Sequence, residues 1–418
     1  MDKIIIEGGN LLSGEVDIAG SKNAALPILV SSLLTSGWCE YKNVPKLKDV
    51  LSILDLLKHL GCEVEADNSS IRINANNLNN HVAPYDLVRK MRASILVLCP
   101  LIAKLKKAKV SLPGGCSIGA RPIDLHLKGL CALGAEIELE HGYVKAHVDK
   151  LTGCDYYFDF PSVTGTENLV MAAVLADGKT CLRNVAREPE IIALCDVLNK
   201  MGAKITGAGT SKITIYGVDK LLPVSVDIIP DRIETGTFMI AAAVTGSRIK
   251  INNCNIDHLR GIINKLRQTG VVIEQEGLHS LIIDGKNKIK SINIETLPYP
   301  GFPTDMQAQF MVLMSVADGL SIISETIFEN RFIHVSELKR MGADITVSGR
   351  SAMVKGVAAL NGAQVMASDL RASASLILAG LAANKTTEVC RVYHLDRGYE
   401  TIEKKLQKLG AKIKRVKQ

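Results

Sequence analysis

The chain has 418 residues, of which 47% are hydrophobic and 22% charged, with a formal net charge of +7. That length exceeds one ordinary core and points to two domains, and the composition is that of a soluble globular protein. Aromatic content of 4% and a single tryptophan, Trp38, argue against a stacking platform for nucleic acid; the scattered Lys and Arg fit anionic small molecules better.

The chain opens Met1-Asp2-Lys3 and runs directly into a strand pattern, with no signal-peptide pattern. The longest apolar run, near 93–103, is too short to span a bilayer, so the expectation is a cytoplasmic protein with no membrane partner. Ten cysteines form no Cys-x-x-Cys pair, and most sit in apolar surroundings, such as Cys99 between Leu98 and Pro100. They read as buried thiols in a reducing compartment rather than a disulfide framework or zinc site.

A repeat then organises the chain. Leu60-Gly61-Cys62-Glu63-Val64 recurs with its glycine at 134, 202, 270, 342 and 410, at intervals of 68 to 73 residues. Each copy follows a helical apolar pattern, such as Leu51, Leu54, Leu57 and Leu60, which the glycine ends before a strand. Strand pairs begin near 3, 70, 143, 212, 280 and 352. Small-residue apolar helices follow at 22–34, 88–103, 165–176, 234–244, 306–317 and 371–382. Next come a strand and a charged loop, then the capped helix. The pattern predicts six βαβαββ-like units in an α/β fold, three per domain, divided as 22–229 and 1–21 plus 230–418. The strands in 1–21 precede the first helix and could pair with either end of the chain. The crossings near 20–22 and 230–232 read as exposed hinges.

The stretch 112–125 is the least ordinary: Leu-Pro-Gly-Gly-Cys-Ser-Ile-Gly-Ala-Arg-Pro-Ile-Asp-Leu. Its glycines and prolines read as a loop or lid. A thiol beside fixed positive charge, here Cys116 with Arg121 five residues on, can have its pKa lowered. A tight turn with a passive cysteine is the alternative. Charged residues recur at equivalent places in the units: Lys22, Arg92, Asp231, Asp305 and Arg371 at first-helix starts, and Cys116, Glu188, Arg331 and Arg397 in the loops. Helix N-termini offer N–H groups to anions, so two domains facing each other would present a cationic cleft. Any one of these cations alone reads more simply as a solvated face.

These motifs bring the chain close to a known family. They include Gly20-Ser21-Lys22-Asn23-Ala24-Ala25, Met91-Arg92-Ala93-Ser94, Pro113-Gly114-Gly115-Cys116 and Arg187-Glu188-Pro189-Glu190. They continue with Pro230-Asp231-Arg232, Phe302-Pro303-Thr304-Asp305-Met306-Gln307, Phe328-Glu329-Asn330-Arg331, Asp369-Leu370-Arg371 and Asp396-Arg397-Gly398-Tyr399. In order and end to end, the chain resembles the enolpyruvyl transferases, in particular the branch acting on UDP-N-acetylglucosamine. The resemblance implies two inverse α/β domains and transfer of the enolpyruvyl group of phosphoenolpyruvate to the sugar's 3′-hydroxyl, through a tetrahedral ketal, with release of phosphate. That reaction is the first committed step of peptidoglycan synthesis.

The resemblance also implies roles. Lys22, Arg121 and Arg397 would surround the phosphate, and Arg331 and Arg371 the carboxylate, of phosphoenolpyruvate, with Asn23 beside them. Asp305 would be the base and Cys116 the acid, a covalent carrier or a release device, with Lys22 and Arg397 also catalytic. The UDP-sugar would meet Arg92, Arg121, Pro122, Ile123, Asp124, Leu125, Pro161, Ser162, Val163, Thr164, Asp305 and Ile327. The 160–165 loop departs from the family's usual lysine-containing pattern. Some members carry Asp in place of the loop cysteine; with Cys116 present, sensitivity to the epoxide fosfomycin is expected. Substrate would draw the loop closed.

The sister enzyme acting on shikimate 3-phosphate is the nearest rival, but its Gly-Asn-Ala-Gly-Thr-Ala-Met-Arg-Pro loop is absent from the chain. A UDP-sugar-binding regulatory paralogue would not need both acid and base, and an interaction scaffold gives no reason for the repeated cations. No metal and no organic cofactor is implied: the nine histidines lack ligand spacing, and Gly114-Gly115 belongs to no nucleotide fingerprint. Homo-oligomerisation is left open.

Overall fold

The computed structural model describes residues 2–67, 70–113 and 123–417. Within them the repeat has one plan, shown by its second copy. The short strand Val82–Ala83 lies parallel to the central strand Lys107–Ser111. Tyr143–His147 runs antiparallel to that central strand, with Val110 opposite Val144, and Glu136–Glu140 closes the hairpin. Six four-stranded sheets share this order.

The chain divides into two compact units, one of residues 2–19 and 230–417 and the other of the described residues in 20–229. Each has its own apolar core. The 20–229 unit begins on a helix and so has no leading short strand. Ser225–Asp227 supplies one, parallel to Trp38–Lys42, with Val226 opposite Tyr41. In the other unit Asp2–Glu7 lies between Thr386–Cys390 and Lys412–Lys417, antiparallel to both. Glu15–Asp17 is the short strand beside Arg248–Asn252. The first strands, which had two possible partners, thus serve two different sheets of the unit that contains the chain's end.

In five of the six repeats the first helix is rich in small and apolar residues and is buried on nearly every side. Lys22–Ser31, Val163–Ala173, Arg232–Val244, Gln307–Ser315 and Leu370–Ala382 bury nearly every side chain. In the 230–417 unit the last three pack on one another pairwise. The second helices, such as Lys48–His59 and Arg260–Gln268, bury one face only. All six repeat glycines, at 61, 134, 202, 270, 342 and 410, have positive φ. Only glycine takes that conformation without strain, and it lets the next N–H turn back onto the helix: Ala203 donates to Leu198 and Ala343 to Leu338.

Two expectations are corrected. The helix expected over 88–103 is broken into Tyr85–Val88, a 3-10 turn Arg92–Val97 and Leu98–Leu105. Pro100 explains the late start, because inside a continuous helix it would remove an N–H and clash with the preceding turn, whereas in a first turn it does neither. The two chain crossings are not exposed. Gly20, Ser21, Asp231 and Arg232 are buried. Ser21 N–H donates to Ile229 at 2.7 Å and Asp231 N–H to Ala19 at 2.9 Å.

Candidate active site

Helix starts place most of the candidate side chains. Ser21, Ser162, Asp231 and Asp369 each cap a first helix through a side-chain oxygen. Lys22, Thr164 and Arg371 therefore stand in the first turn of rigid, buried helices. Asp305 lies in the 3-10 turn Thr304–Met306 that leads into Gln307–Ser315.

In the 230–417 unit three candidates meet directly. Arg331 Nη2 donates to Asp305 Oδ1 at 2.8 Å, and Arg371 donates to Oδ2 through Nε at 3.0 Å and Nη2 at 2.8 Å. Both guanidinium groups are almost fully buried, whereas the Asp305 side chain keeps 28% of its surface exposed. Burial opposes the charge on Arg371, but Asp305, with Tyr399 and Asp231, outweighs it and keeps the guanidinium more basic than usual. The Arg371 guanidinium lies 5.5 Å from the Tyr399 ring centre, a cation–π contact. Its Nη1 is buried and finds no hydrogen-bond partner among the described residues.

Supporting groups hold this cluster. Glu325, fully buried, accepts from Thr296 and Thr304 at 2.8 Å each and from the N–H groups of Ile327 and Phe328. Thr304 in turn accepts from Arg331 Nη1 at 3.1 Å. One carboxylate thus fixes the Asp305 turn and the backbone of Ile327. Arg397 ends the 3-10 turn Val392–Arg397, pinned on both sides. Before it, Asp396 receives two 2.7 Å hydrogen bonds from Arg415. After it, the Tyr399 hydroxyl lies 2.8 Å from Thr237 Oγ1. The Thr237 hydroxyl donates to Ile233, so it accepts from the phenol.

In the 20–229 unit Lys22 Nζ lies 3.4 Å from Asp49 Oδ2, a largely buried ion pair. Asn23, Arg92, Leu125 and 161–164 are half-buried, Ile123 is buried and Asp124 exposed. His126 joins this group. Its Nδ1 accepts from Asn168 Nδ2 at 2.8 Å, and its Nε2 lies 3.3 Å from Thr164 Oγ1. Burial, reinforced by Arg92, pushes its pKa down to about 4. Glu167 is buried near Glu188 and Glu190; burial first, then those carboxylates, push its pKa well above the usual range. Cys116, Arg121 and Pro122 lie outside the described residues.

The described residues contain no group of three or more His, Cys, Asp or Glu able to hold a metal ion. No described helix is long and apolar enough to cross a membrane. All nine described cysteines are free, and seven are buried. Burial pushes the thiols of Cys62 and Cys195 up to about 12, which marks them as packing groups.

Sequence reasoning missed His126, Asn168, Glu325 and Arg415. None carries a motif signal. His126 could have been suspected from its place two residues after Asp124.

Known proteins bear on this arrangement. The family model described as EPSP synthase (3-phosphoshikimate 1-carboxyvinyltransferase) matches residues 6–406. A relative from Desulfosudis oleivorans, named UDP-N-acetylglucosamine 1-carboxyvinyltransferase, is 67% identical over 416 residues, covering 100% of both chains. One of the same name from Geobacter metallireducens is 59% identical, again with 100% of both chains covered. Among solved structures, the enolpyruvyl transferase NikO of Streptomyces tendae superposes with a TM-score of 0.90 at 24% identity over 99% of each chain. An EPSP synthase of Acinetobacter baumannii does so at 0.79 and 20% identity, with full coverage. At those identities the two structures speak for the fold, which is that of the enolpyruvyl transferases. The family model and the end-to-end identity go further: this chain belongs to the EPSP synthase family of enolpyruvyl transferases.

Proposed function

We propose that the protein transfers the enolpyruvyl group of phosphoenolpyruvate to the 3′-hydroxyl of UDP-N-acetylglucosamine and releases phosphate. The observation that carries this is the 67% identity, over its whole length, to a relative named for that reaction. The chemistry of the Asp305 cluster supports it. A substrate with a phosphate and a carboxylate needs permanent cations, and Arg331 and Arg371 offer planar, buried donors suited to a carboxylate. Lys22, Arg121 and Arg397 serve the phosphate. A hydroxyl nucleophile needs a base, and Asp305 is the partly exposed carboxylate of the cluster. As the hydroxyl adds to the substituted alkene carbon, Cys116 delivers a proton to the terminal one, giving a tetrahedral ketal that then loses a proton from that terminal carbon together with phosphate and so restores the alkene. Arg92, 121–125, 161–164 and Ile327 hold the UDP-sugar. On this reading the protein is a cytoplasmic enzyme of peptidoglycan synthesis and a fosfomycin target, in two domains, with the cysteine loop in one and the base in the other.

The test is phosphate release from phosphoenolpyruvate with UDP-N-acetylglucosamine, with shikimate 3-phosphate and with neither. Release only with the UDP-sugar supports the assignment. Release only with shikimate 3-phosphate overturns the acceptor and keeps the chemistry.

A further inference from the structure

We propose that Arg331 and Arg371 hold Asp305 in a weakly basic state, and that arrival of the donor substrate's carboxylate loosens this hold and turns Asp305 into a competent base. The proposal rests on the functional reading above and concerns regulation of that same site.

A carboxylate between two guanidinium groups, with three hydrogen bonds of 2.8 to 3.0 Å, is a poor proton acceptor. Two buried guanidiniums share one directly bonded carboxylate. Arg371 Nη1 is buried with no hydrogen-bond partner among the described residues, and a buried charged donor left in that state is costly. A second carboxylate supplies the missing acceptor. Once there, it shares the guanidiniums with Asp305 and places a like charge beside it, and both effects raise the proton affinity of Asp305.

The groups around the cluster do not supply this effect. Thr304 is neutral and holds Arg331 at 3.1 Å. Glu325 is already satisfied by four donors. Asp369 is spent on the N–H groups of Arg371 and Ala372. Asp231 caps its own helix through Ile233 and Glu234. Tyr399 presents a ring face, and His334, buried beside Arg331 and Asp369, is held neutral near neutral pH. The consequence is ordering: the base is armed only when the donor is in place.

The experiment is calorimetric proton counting with the full chain saturated in UDP-N-acetylglucosamine, in buffers of different ionisation enthalpy from about pH 3 to about pH 6. Phospholactate, which has the phosphate and the carboxylate, is compared with isopropyl phosphate, which lacks the carboxylate. Wild type is compared with Asp305→Asn. For a rise of about one unit in the Asp305 pKa, wild type takes up about half a proton more than Asp305→Asn when phospholactate binds at the pH midway between the two values, and less on either side. Isopropyl phosphate shows no such difference. Equal uptake by the two proteins with phospholactate overturns the gating while leaving the functional reading intact. Failure of wild type to bind phospholactate overturns the functional reading itself.

Discussion

Asn168 Nδ2 donates to Nδ1 of His126 at 2.8 Å, which places the ring's single proton on Nε2, toward Thr164. An amide nitrogen can only donate, so the tautomer is determined. The ring stays neutral to a pKa of about 4, and so does that of His334, in both cases chiefly through burial. In the unfolded chain both titrate near the usual 6.5. Between about pH 6.5 and 4 the unfolded state therefore binds more protons, and stability falls as pH falls, by about 1.4 kcal/mol per pH unit for each histidine. Chemical denaturation at several pH values is expected to show this slope, reduced by about one proton in His126→Gln. An unchanged slope in that variant means that His126 is protonated in the folded state.

Removing the carboxylate of Asp305 is expected to lower turnover by about 10²- to 10⁴-fold, the usual contribution of a positioned base. Phosphate release by Asp305→Ala, with UDP-sugar binding followed separately, measures this. A variant within tenfold of wild type would reassign the base.

Lysine cannot replace Arg371. A single ammonium cannot make both the Nε and Nη2 contacts to Asp305 while leaving a further donor inward. Arg371→Lys is expected to raise the KM for phosphoenolpyruvate about 10- to 100-fold, the equivalent of one or two charge-assisted hydrogen bonds. The KM for the UDP-sugar should move far less. Initial rates with each substrate varied in turn separate the two.

Fosfomycin should alkylate Cys116 ahead of the other thiols: seven of the nine described cysteines are buried, and the exposed Cys131 serves as the internal control. Intact mass after treatment is expected to rise by one adduct, with phosphoenolpyruvate slowing the reaction. Full activity at saturating drug would rule out a reactive Cys116.

Glycines at two kinds of position give different costs on substitution by alanine. At Gly202, φ is +104° and no atom lies within 4 Å of an added Cβ, so only backbone strain of about 1–2 kcal/mol is expected. At Gly217 the Cβ would fall on the carbonyl of Ala176, and at Gly356 on that of Ala317, the equivalent place in another repeat. Gly217→Ala should cost at least about 3 kcal/mol, because two backbones must separate. Urea midpoints for the two variants test the ranking.

The six units were legible because each needs a glycine with positive φ after its second helix, and no other residue substitutes cheaply there. A second repeated device was not read. Asn43, Asn184 and Asn253 each follow a central strand at φ 53°. Each ties its turn to the neighbouring short strand through Nδ2, to Ile228, Phe158 and Ile18. Asparagine tolerates this conformation, but it is common enough in turns that three copies among six do not stand out. The break at Met91–Arg92 was hidden because the charged residues Arg89, Lys90 and Arg92 fit the exposed face of a helix as well as they fit a turn. The Asp305–Arg331–Arg371 contact joins residues far apart in the chain. Their chemistry could be suspected from the motifs, but not their grip on one another.

The placement of Asp2–Glu7 as an inner strand sets an order of assembly. During synthesis every strand of the 20–229 unit has been made by residue 227. The first strand must wait for both of its neighbours, Thr386–Cys390 and Lys412–Lys417, which are made only after the whole of that unit. The 20–229 unit can therefore close while the chain is still growing, and the other only after Lys412–Lys417 has been made. For all of that time the amide edges of residues 2–7 are unpaired, so a pairing edge stays open to misassociation long after the 20–229 unit has closed.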